Sequence, residues 1–350
     1  MGKRIINFIA LHQKQTLLML FIFAVIYPFV VTDVYLMRIS VVALMFTSLT
    51  LSFNLLTGYL GQFSMAHCAF YGIGAYSVGI LAKHLGNMSV LSAMLIGMLI
   101  AGLASLFLAL PTLRLKGFYF SVVTMGFSEI VKLIEINQVS LTNGPMGIMN
   151  IPRLKIFGFS FSTPRQFYFL ILFITIVFTY IIKAFLDSRM GRAVLAVRED
   201  EIAAQAMGIH AFRYKTMVFI LSTMMAGLTG GFYAIYTTYI DPTSFTGEIS
   251  VKIMSMTLFG GLGSLPGSYV GAIMLSILPE ITRGLSTYRY LIYGVIIVIT
   301  MLFIPSGMMG KINFTYIRQR LMLEEEEKKK RMEASKGEAA DGGKLIAGNI

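Results

Sequence analysis

Apolar runs of membrane-spanning length follow one another along most of the chain, separated by polar stretches too short to fold on their own. They predict spans at about 17–31, 39–56, 68–82, 88–110, 117–135, 166–186, 216–240, 249–262, 266–282 and 288–304. The expected fold is all-α: a polytopic membrane protein of about ten transmembrane helices with both termini on one side. The first run leads directly into more of the same and reads as a retained helix rather than a cleaved signal. Residues 1–16 form a basic, partly amphipathic lead-in expected at the cytoplasmic surface. Residues 17–310 form the transmembrane domain, and the charged tail 311–350 is expected to be disordered beyond a possible first helical stretch.

The longest polar interval between the first and last runs is Asp187–Lys215, with nine Asp, Glu, Lys and Arg among its twenty-nine residues. Asp187 and Ser188 can cap a helix starting near Arg189; Asp200 and Glu201 open a second, which Gly208 ends. In the second helix Ile202, Ala203, Ala206, Met207 and Ile209 make a small apolar face, while Glu199, Asp200 and Gln205 stay polar. Two short helices of this kind suit insertion into a partner's groove. The other reading is an amphipathic helix on lipid headgroups, against which stands a nearly balanced charge, five basic to four acidic.

Three further places break the apolar pattern. Asn54–Tyr76 gathers Gly58, Gly61, Gly72 and Gly74 with Asn54, Thr57, Gln62 and Ser64 where two helices should simply meet. Backbone at membrane depth needs hydrogen-bond partners, so the stretch is either a broken helix lining a translocation path or a tight turn between closely packed helices. Leu258–Ile277 carries Gly263, Gly267 and Gly271 at four-residue spacing, which lets helix backbones approach. In Gly117–Gly147 the residues Glu129, Lys132 and Glu135 follow at i,i+3 spacing, so they are expected to share a helix face and pair. Glu129 reads either as a path residue or as an interfacial charge.

Composition supports the membrane class: 56% of residues are hydrophobic and 13% charged, and mean hydropathy is +0.75. The net charge of +12 does not point to nucleic acid, because residues 1–320 hold the excess, 23 Lys and Arg against 10 Asp and Glu, as basic flanks of membrane helices do. With a cytoplasmic N-terminus, inside stretches hold 13 Lys and Arg and outside stretches seven, which puts Asp187–Lys215 in the cytoplasm. One cysteine, Cys68, and four scattered histidines form no disulfide, metal or redox pattern. No dinucleotide or P-loop motif is present, so the chain is expected to bind no cofactor and to catalyse no reaction itself. A membrane-embedded enzyme lacks its constellation; an ion-driven secondary carrier would need deep carboxylates and no docking loop.

Several segments in order resemble the permeases of branched-chain amino acid ABC transporters of the LivM type: NLLTGYLGQFSMAHCAFYGIGAY, LRLKGFYFSVVTMGFSEIVKL with LTNGPMGI, GRAVLAVREDEIAAQAMGI, TLFGGLGSLPGSYVGA and FIPSGMMG. The resemblance covers about residues 35–310 and excludes the tail. It implies an inner-membrane subunit paired with a second, homologous permease, two cytoplasmic ATP-binding cassette subunits that use ATP and Mg, and an extracytoplasmic binding protein that delivers the substrate. It also implies that Asp187–Lys215 is the coupling segment contacting the ATPases, with Arg192, Arg198, Glu199, Asp200, Glu201, Ala203, Ala204, Met207 and Gly208 as its residues. Ala203, Ala204 and Gly208 match the importer motif Glu-Ala-Ala-x-x-x-Gly, whereas Ile202 stands where its Glu would be and Glu201 comes one position early. Asn54, Thr57, Gly58, Gln62, Ser64 and Glu129 are the translocation-path candidates. Permeases for urea or short-chain amides are close relatives within the same resemblance.

Overall fold

The computed structural model describes residues 22, 24–84, 88–115, 117–156 and 159–281, then 291, 294, 295, 298, 299, 302, 303 and 307–309. The lead-in 1–16, the tail 311–350 and most of the last span lie outside the described residues. The chain divides into two compact units, residues 1–30 with 312–350, and residues 31–311. In the first unit the described positions 24–30 are helical.

In the second unit, α1 (Val34–Asn54) runs on into a π-helical turn at Leu55–Tyr59, and α2 (His67–His84) follows after a non-helical link. Then come α3 (Val90–Thr112), α4 (Phe118–Asn137) and α5 (Pro164–Asp187), the short α6 (Arg189–Glu199) and α7 (Glu201–Ala206), then α8 (Ala211–Thr237), α9 (Gly247–Gly260) and α10 (Leu265–Ile281). Local chemistry sets the starts. The Asp33 carboxylate accepts from the Tyr35 N–H at 2.8 Å to begin α1, and Thr163 with Gln166 forms a capping box ahead of Pro164 at α5.

Among the described residues, four helices are long and apolar enough to cross a membrane: Val34–Tyr59, α3, α5 and α8. The expected spans 249–262 and 266–282 take a different form. With 14 and 17 residues, α9 and α10 are about 21 and 26 Å long and fall short of a hydrocarbon core of roughly 30 Å. They fold back on each other through residues 261–264.

Glycines decide which helices touch. At Gly230 on α8 a Cβ would stand 1.9 Å from the Tyr71 carbonyl oxygen, and at Gly74 on α2 one would stand 2.0 Å from that of Gly227. These two helices therefore meet backbone to backbone, as small residues allow in an apolar solvent. The same holds for α9 and α10, where a Cβ at Gly271 would lie 2.0 Å from the Met256 oxygen and one at Gly267 2.5 Å from the Gly260 oxygen. Gly263 plays another part than the helix packing its spacing predicts: it stands in the turn between them, with φ at +72°.

The loop from 138 to 163 is not wholly irregular. β1 (Ile148–Met149) pairs antiparallel with β4 (Tyr239–Ile240), and β2 (Lys155–Ile156) with β3 (Phe159–Ser160). The β1–β4 pair ties this loop to the end of α8 opposite α6 and α7. Outward-facing Leu103, Phe107 and Leu110 on α3 and Phe173 and Tyr180 on α5 are exposed, as expected of surfaces that meet lipid or another membrane subunit.

Candidate functional site

The polar interval folds as its capping residues predict. Ser188 Oγ accepts from the Gly191 N–H at 3.2 Å, and Asp200 Oδ1 accepts from Ile202 and Ala203 N–H at 2.8 and 3.0 Å. Gly208 closes α7 at a φ of +84°, a backbone angle that glycine takes without strain. Gly191, Val194 and Val197 bury one face of α6.

On α7 the outward face is apolar: Ile202 is 71% and Met207 84% exposed. Ala203, Ala206 and Gly208 share that exposure. Ala204, expected with the coupling residues, is instead buried. In a helix it stands about 100° from Ala203, enough to turn it from the outer face to the inner one. The Asp200 carboxylate is occupied as a cap, and Arg192 Nη1 donates to the Asp187 carbonyl at 3.3 Å; Glu199 is exposed.

Two contacts connect this loop to the spans. Glu201 Oε1 lies 2.8 Å from Lys215 Nζ, with side-chain exposures of 24% and 4%. This joins α7 to the second turn of α8 through an ion pair held mostly out of water. Arg198, at the end of α6, packs beside both glycine-rich breaks. A Cβ at Gly61 would stand 3.3 Å from its Cγ, and one at Gly263 3.2 Å from its Nη1. Arg198, though exposed, thus lies against the chain's own breaks.

Those breaks are latched to each other. Asn54 Nδ2 donates to the Ser264 carbonyl at 3.0 Å and to Ser268 Oγ at 2.8 Å, while the Gly263 N–H donates to Asn54 Oδ1 at 2.9 Å. One buried amide therefore fastens the end of α1 to the α9–α10 turn. Gly58 leaves room for it, since a Cβ there would lie 1.8 Å from Asn54 Oδ1 and 2.4 Å from Gly263 N. Thr57 Oγ1 donates to the Gln62 carbonyl at 3.1 Å, and Gln62 is buried beside it.

The start of α2 lies inside the protein rather than at a water boundary. Its leading N–H groups are met by hydroxyls from three elements: Met65 by Thr124 at 2.9 Å, Ala66 by Ser64 at 3.2 Å and Cys68 by Ser250 at 3.0 Å. Thr124 is six residues into α4, about 9 Å along the helix. The break at 60–66 thus reaches inward from the helix ends, and its polar groups are satisfied by the protein itself. Asn54, Thr57, Gly58, Gln62 and Ser64 gather at this one place, and their hydrogen bonds run to the chain's own backbone and hydroxyls.

Glu129 stands apart from them on the outward face of α4, 3.8 Å from Lys132. Glu135 does not join this pair, contrary to the expectation from spacing. Six residues turn a helix by about 240°, which sends Glu135 to the inner side, where it is buried. Two further features are barely legible in the sequence. Lys215 sits where the charged loop gives way to a span and looks like an ordinary flanking cation. Lys252 lies on α9 with Nζ 3.9 Å from the centroid of the Phe46 ring on α1, a cation–π contact between elements 200 residues apart. Among the described residues no cluster of His, Cys, Asp and Glu could hold a metal ion.

Residues 35–301 match the family model described as branched-chain amino acid transport system, permease component. The chain is 31% identical over 320 residues to the high-affinity branched-chain amino acid transport system permease protein LivM of Escherichia coli K12, covering 85% of this chain and 75% of that one. It is 24% identical to the corresponding LivH protein of Salmonella typhimurium LT2, over 75% of this chain and 90% of that one. With a probable LivM permease of Methanocaldococcus jannaschii it shares 26% identity over 57% of its length and 62% of the relative's. No solved structure matches the chain.

Proposed function

The chain belongs to the permease-component family of branched-chain amino acid transport systems, and from that premise we propose that it is the membrane half of an ATP-driven importer for branched-chain or related hydrophobic amino acids. It is a membrane-spanning transport subunit. In the importer we propose, the chain pairs with a second, homologous permease, two cytoplasmic ATP-binding cassette subunits hydrolyse ATP with Mg, and an extracytoplasmic binding protein supplies the amino acid. The protein resides in the inner membrane with both termini and α6–α7 in the cytoplasm.

The observation that carries this reading is the construction of α6 and α7. A capped, outward-facing apolar helix of six residues has no reason to stay out of the protein unless something covers it. Its inner side is wired to the spans by Glu201–Lys215 and by Arg198. A push on Ile202, Ala203, Ala206, Met207 and Gly208 therefore reaches α8 directly and reaches both latched breaks through Arg198. Transmission of this kind needs a contact that differs between two states, which nucleotide-driven closure of the ATPases supplies.

The permease partner is assigned to the outer face of α4. Phe118, Tyr119, Val122, Val123 and Ile130 are exposed there, in the company of the Glu129–Lys132 pair. An ion pair in mid-helix is a poor surface to offer lipid and a good one to place on a protein interface or a wet path. Glu129 is accordingly the path candidate that remains open to the outside of this chain.

The test is import of labelled leucine into proteoliposomes containing both permeases, with and without the ATPase subunits and the loaded binding protein. Import that requires all of them is expected. Import by the permeases alone would assign the chain to ion-driven carriers and overturn the coupling role of α7. Replacement of Met207 by Glu should remove the ATPase subunits on co-purification while the two permeases stay together.

A further inference from the structure

Glu135 is the one carboxylate among the described residues that is both buried, at 4% exposure, and without a hydrogen-bond partner on either oxygen. The hydroxyl of Tyr76, also buried, has no partner either. Lys132, one turn earlier on α4, attracts the acid but is paired with Glu129 rather than with it, and Asp241 is itself an acid whose oxygens accept from the Thr243 and Ser244 hydroxyls. Native structures seldom leave such groups unsatisfied, and an ionisable group so placed within a membrane protein is a candidate functional site.

The surroundings say what kind of partner. Phe245 is the hub of an aromatic cluster: its ring centroid lies 5.2 Å from that of Tyr71, 5.8 Å from Tyr76 and 5.9 Å from Tyr233. Tyr71 and Tyr233 are 5.5 Å apart. The hydroxyls of these two are occupied, Tyr71 donating to Met45 Sδ at 3.4 Å and Tyr233 to Ser244 Oγ at 3.3 Å. Ring faces plus a carboxylate and one free phenol make an environment that favours an ammonium group, through cation–π attraction and a charge-assisted hydrogen bond.

We propose that Glu135, Tyr76 and the Tyr71–Tyr233–Phe245 cluster form a binding site for a primary ammonium group, that of the amino acid in transit. This rests on the importer reading above and adds to it a site for one end of the substrate. The site is shut in this structure: a Cβ at Gly72 would stand 2.7 Å from Glu135 Oε1 and 3.1 Å from the Phe245 ring, so acid and ring lie directly on the α2 backbone. Phe245 belongs to a short 3₁₀ turn, Pro242–Phe245, that leads after one residue into α9. The far end of α9 is the turn that Asn54 latches and Arg198 touches. A shift of α6 at one side of the membrane thus has a path, through α9, to the ring that closes the ammonium site.

The experiment is leucine uptake by the complete transporter in proteoliposomes, with ATP inside and loaded binding protein outside, comparing the native chain with Glu135→Gln, Glu135→Asp and Tyr76→Phe. Glu135→Gln should lower uptake about tenfold or more at equal complex recovery, as expected for losing a hydrogen bond to a charged group. Glu135→Asp should restore a good part of it. Tyr76→Phe, which removes only an unpartnered hydroxyl, should lower uptake about threefold. Replacing Na⁺ by N-methyl-D-glucamine, too bulky for the site, on both sides should leave native uptake unchanged. Native uptake together with an unchanged Glu135→Gln variant overturns this proposal and leaves the importer reading standing, as does loss of uptake on removing Na⁺, which would give the carboxylate to an inorganic cation. A Glu135→Gln complex that fails to assemble, combined with a Tyr76→Phe complex of native uptake, also overturns it, since the acid would then be structural. Absence of native uptake strikes the importer reading itself.

Discussion

Replacing Glu201 by Ala tests the connection between α7 and the spans. Lys215 Nζ is 2.8 Å from Glu201 Oε1, and its side chain is 4% exposed. At an effective dielectric constant of about 20, the gross attraction at that distance is about 6 kcal/mol. Most of it offsets the desolvation of the lysine, but removing the acid leaves the desolvation without the attraction. Breaking a buried pair from one side costs about 3–5 kcal/mol. Glu201 keeps a quarter of its surface in contact with solvent, and Lys215 has a four-carbon stem with which to reach outward, so the lower end, about 3 kcal/mol, is the expected loss. In population terms that is roughly a 150-fold weakening of α7's seat on α8. Hydrogen exchange of the purified complex reads this directly. The N–H groups of Ala204, Met207 and Ile209, which donate within the loop to Asp200, Ala203 and Ala204, should lose protection by about two orders of magnitude. Transported amino acid per ATP hydrolysed should fall alongside, and exchanging the charges, Glu201→Lys with Lys215→Glu, should recover part of both. Native protection and native coupling in Glu201→Ala would refute the view that this pair carries force between α7 and α8.

Three other outcomes follow from the same geometry. Asn54→Ala removes three hydrogen bonds at once and should cost about 3 kcal/mol, read as a lower thermal midpoint of the detergent-solubilised complex. Gly271→Ala places a methyl 2.0 Å from the Met256 carbonyl and should separate α9 from α10 at about 3 kcal/mol or more, read as a sharp fall in folded protein recovered from membranes. Asp200→Ala removes the cap of α7 and should loosen it by about 1 kcal/mol; Asp200→Asn should retain most of the stability, and an equal loss for both would contradict a capping role.

Much of the fold was legible because a membrane permits few backbone solutions. Long apolar runs had to become helices, and Val34–Tyr59, α3, α5 and α8 follow the predicted spans within a few residues. The two short helices of Asp187–Lys215 were legible for a different reason: Ser188, Asp200 and Gly208 act on neighbours two or three residues away, so their roles are written locally. The short length of α9 was less visible. Its apolar content reads as a span, while the true limits come from the 3₁₀ turn before it and the Gly261–Ser264 turn after it.

What the sequence could not state was which polar residue met which. Asn54 and Gly263 are 209 positions apart, and no periodicity connects them. Spacing grouped Glu129, Lys132 and Glu135 with Lys132 one turn from each acid, and only packing decided that it pairs with exposed Glu129 while Glu135 is buried. Membership of one polar stretch likewise hid the difference between Ile202 and Met207, which face outward, and Ala204, which faces in.

By itself, then, the sequence determined the class of protein, most of the long spans and the caps of the polar interval Asp187–Lys215, because hydropathy and capping act over one element at a time. The tertiary structure decided that Arg198 lies against the breaks, that Asn54 fastens them, that Glu201 holds Lys215, and that Glu135 is left facing aromatic rings with no partner. Those are contacts between distant segments, fixed by how closely glycine-lined helices can approach, and that approach exists only once the helices are packed.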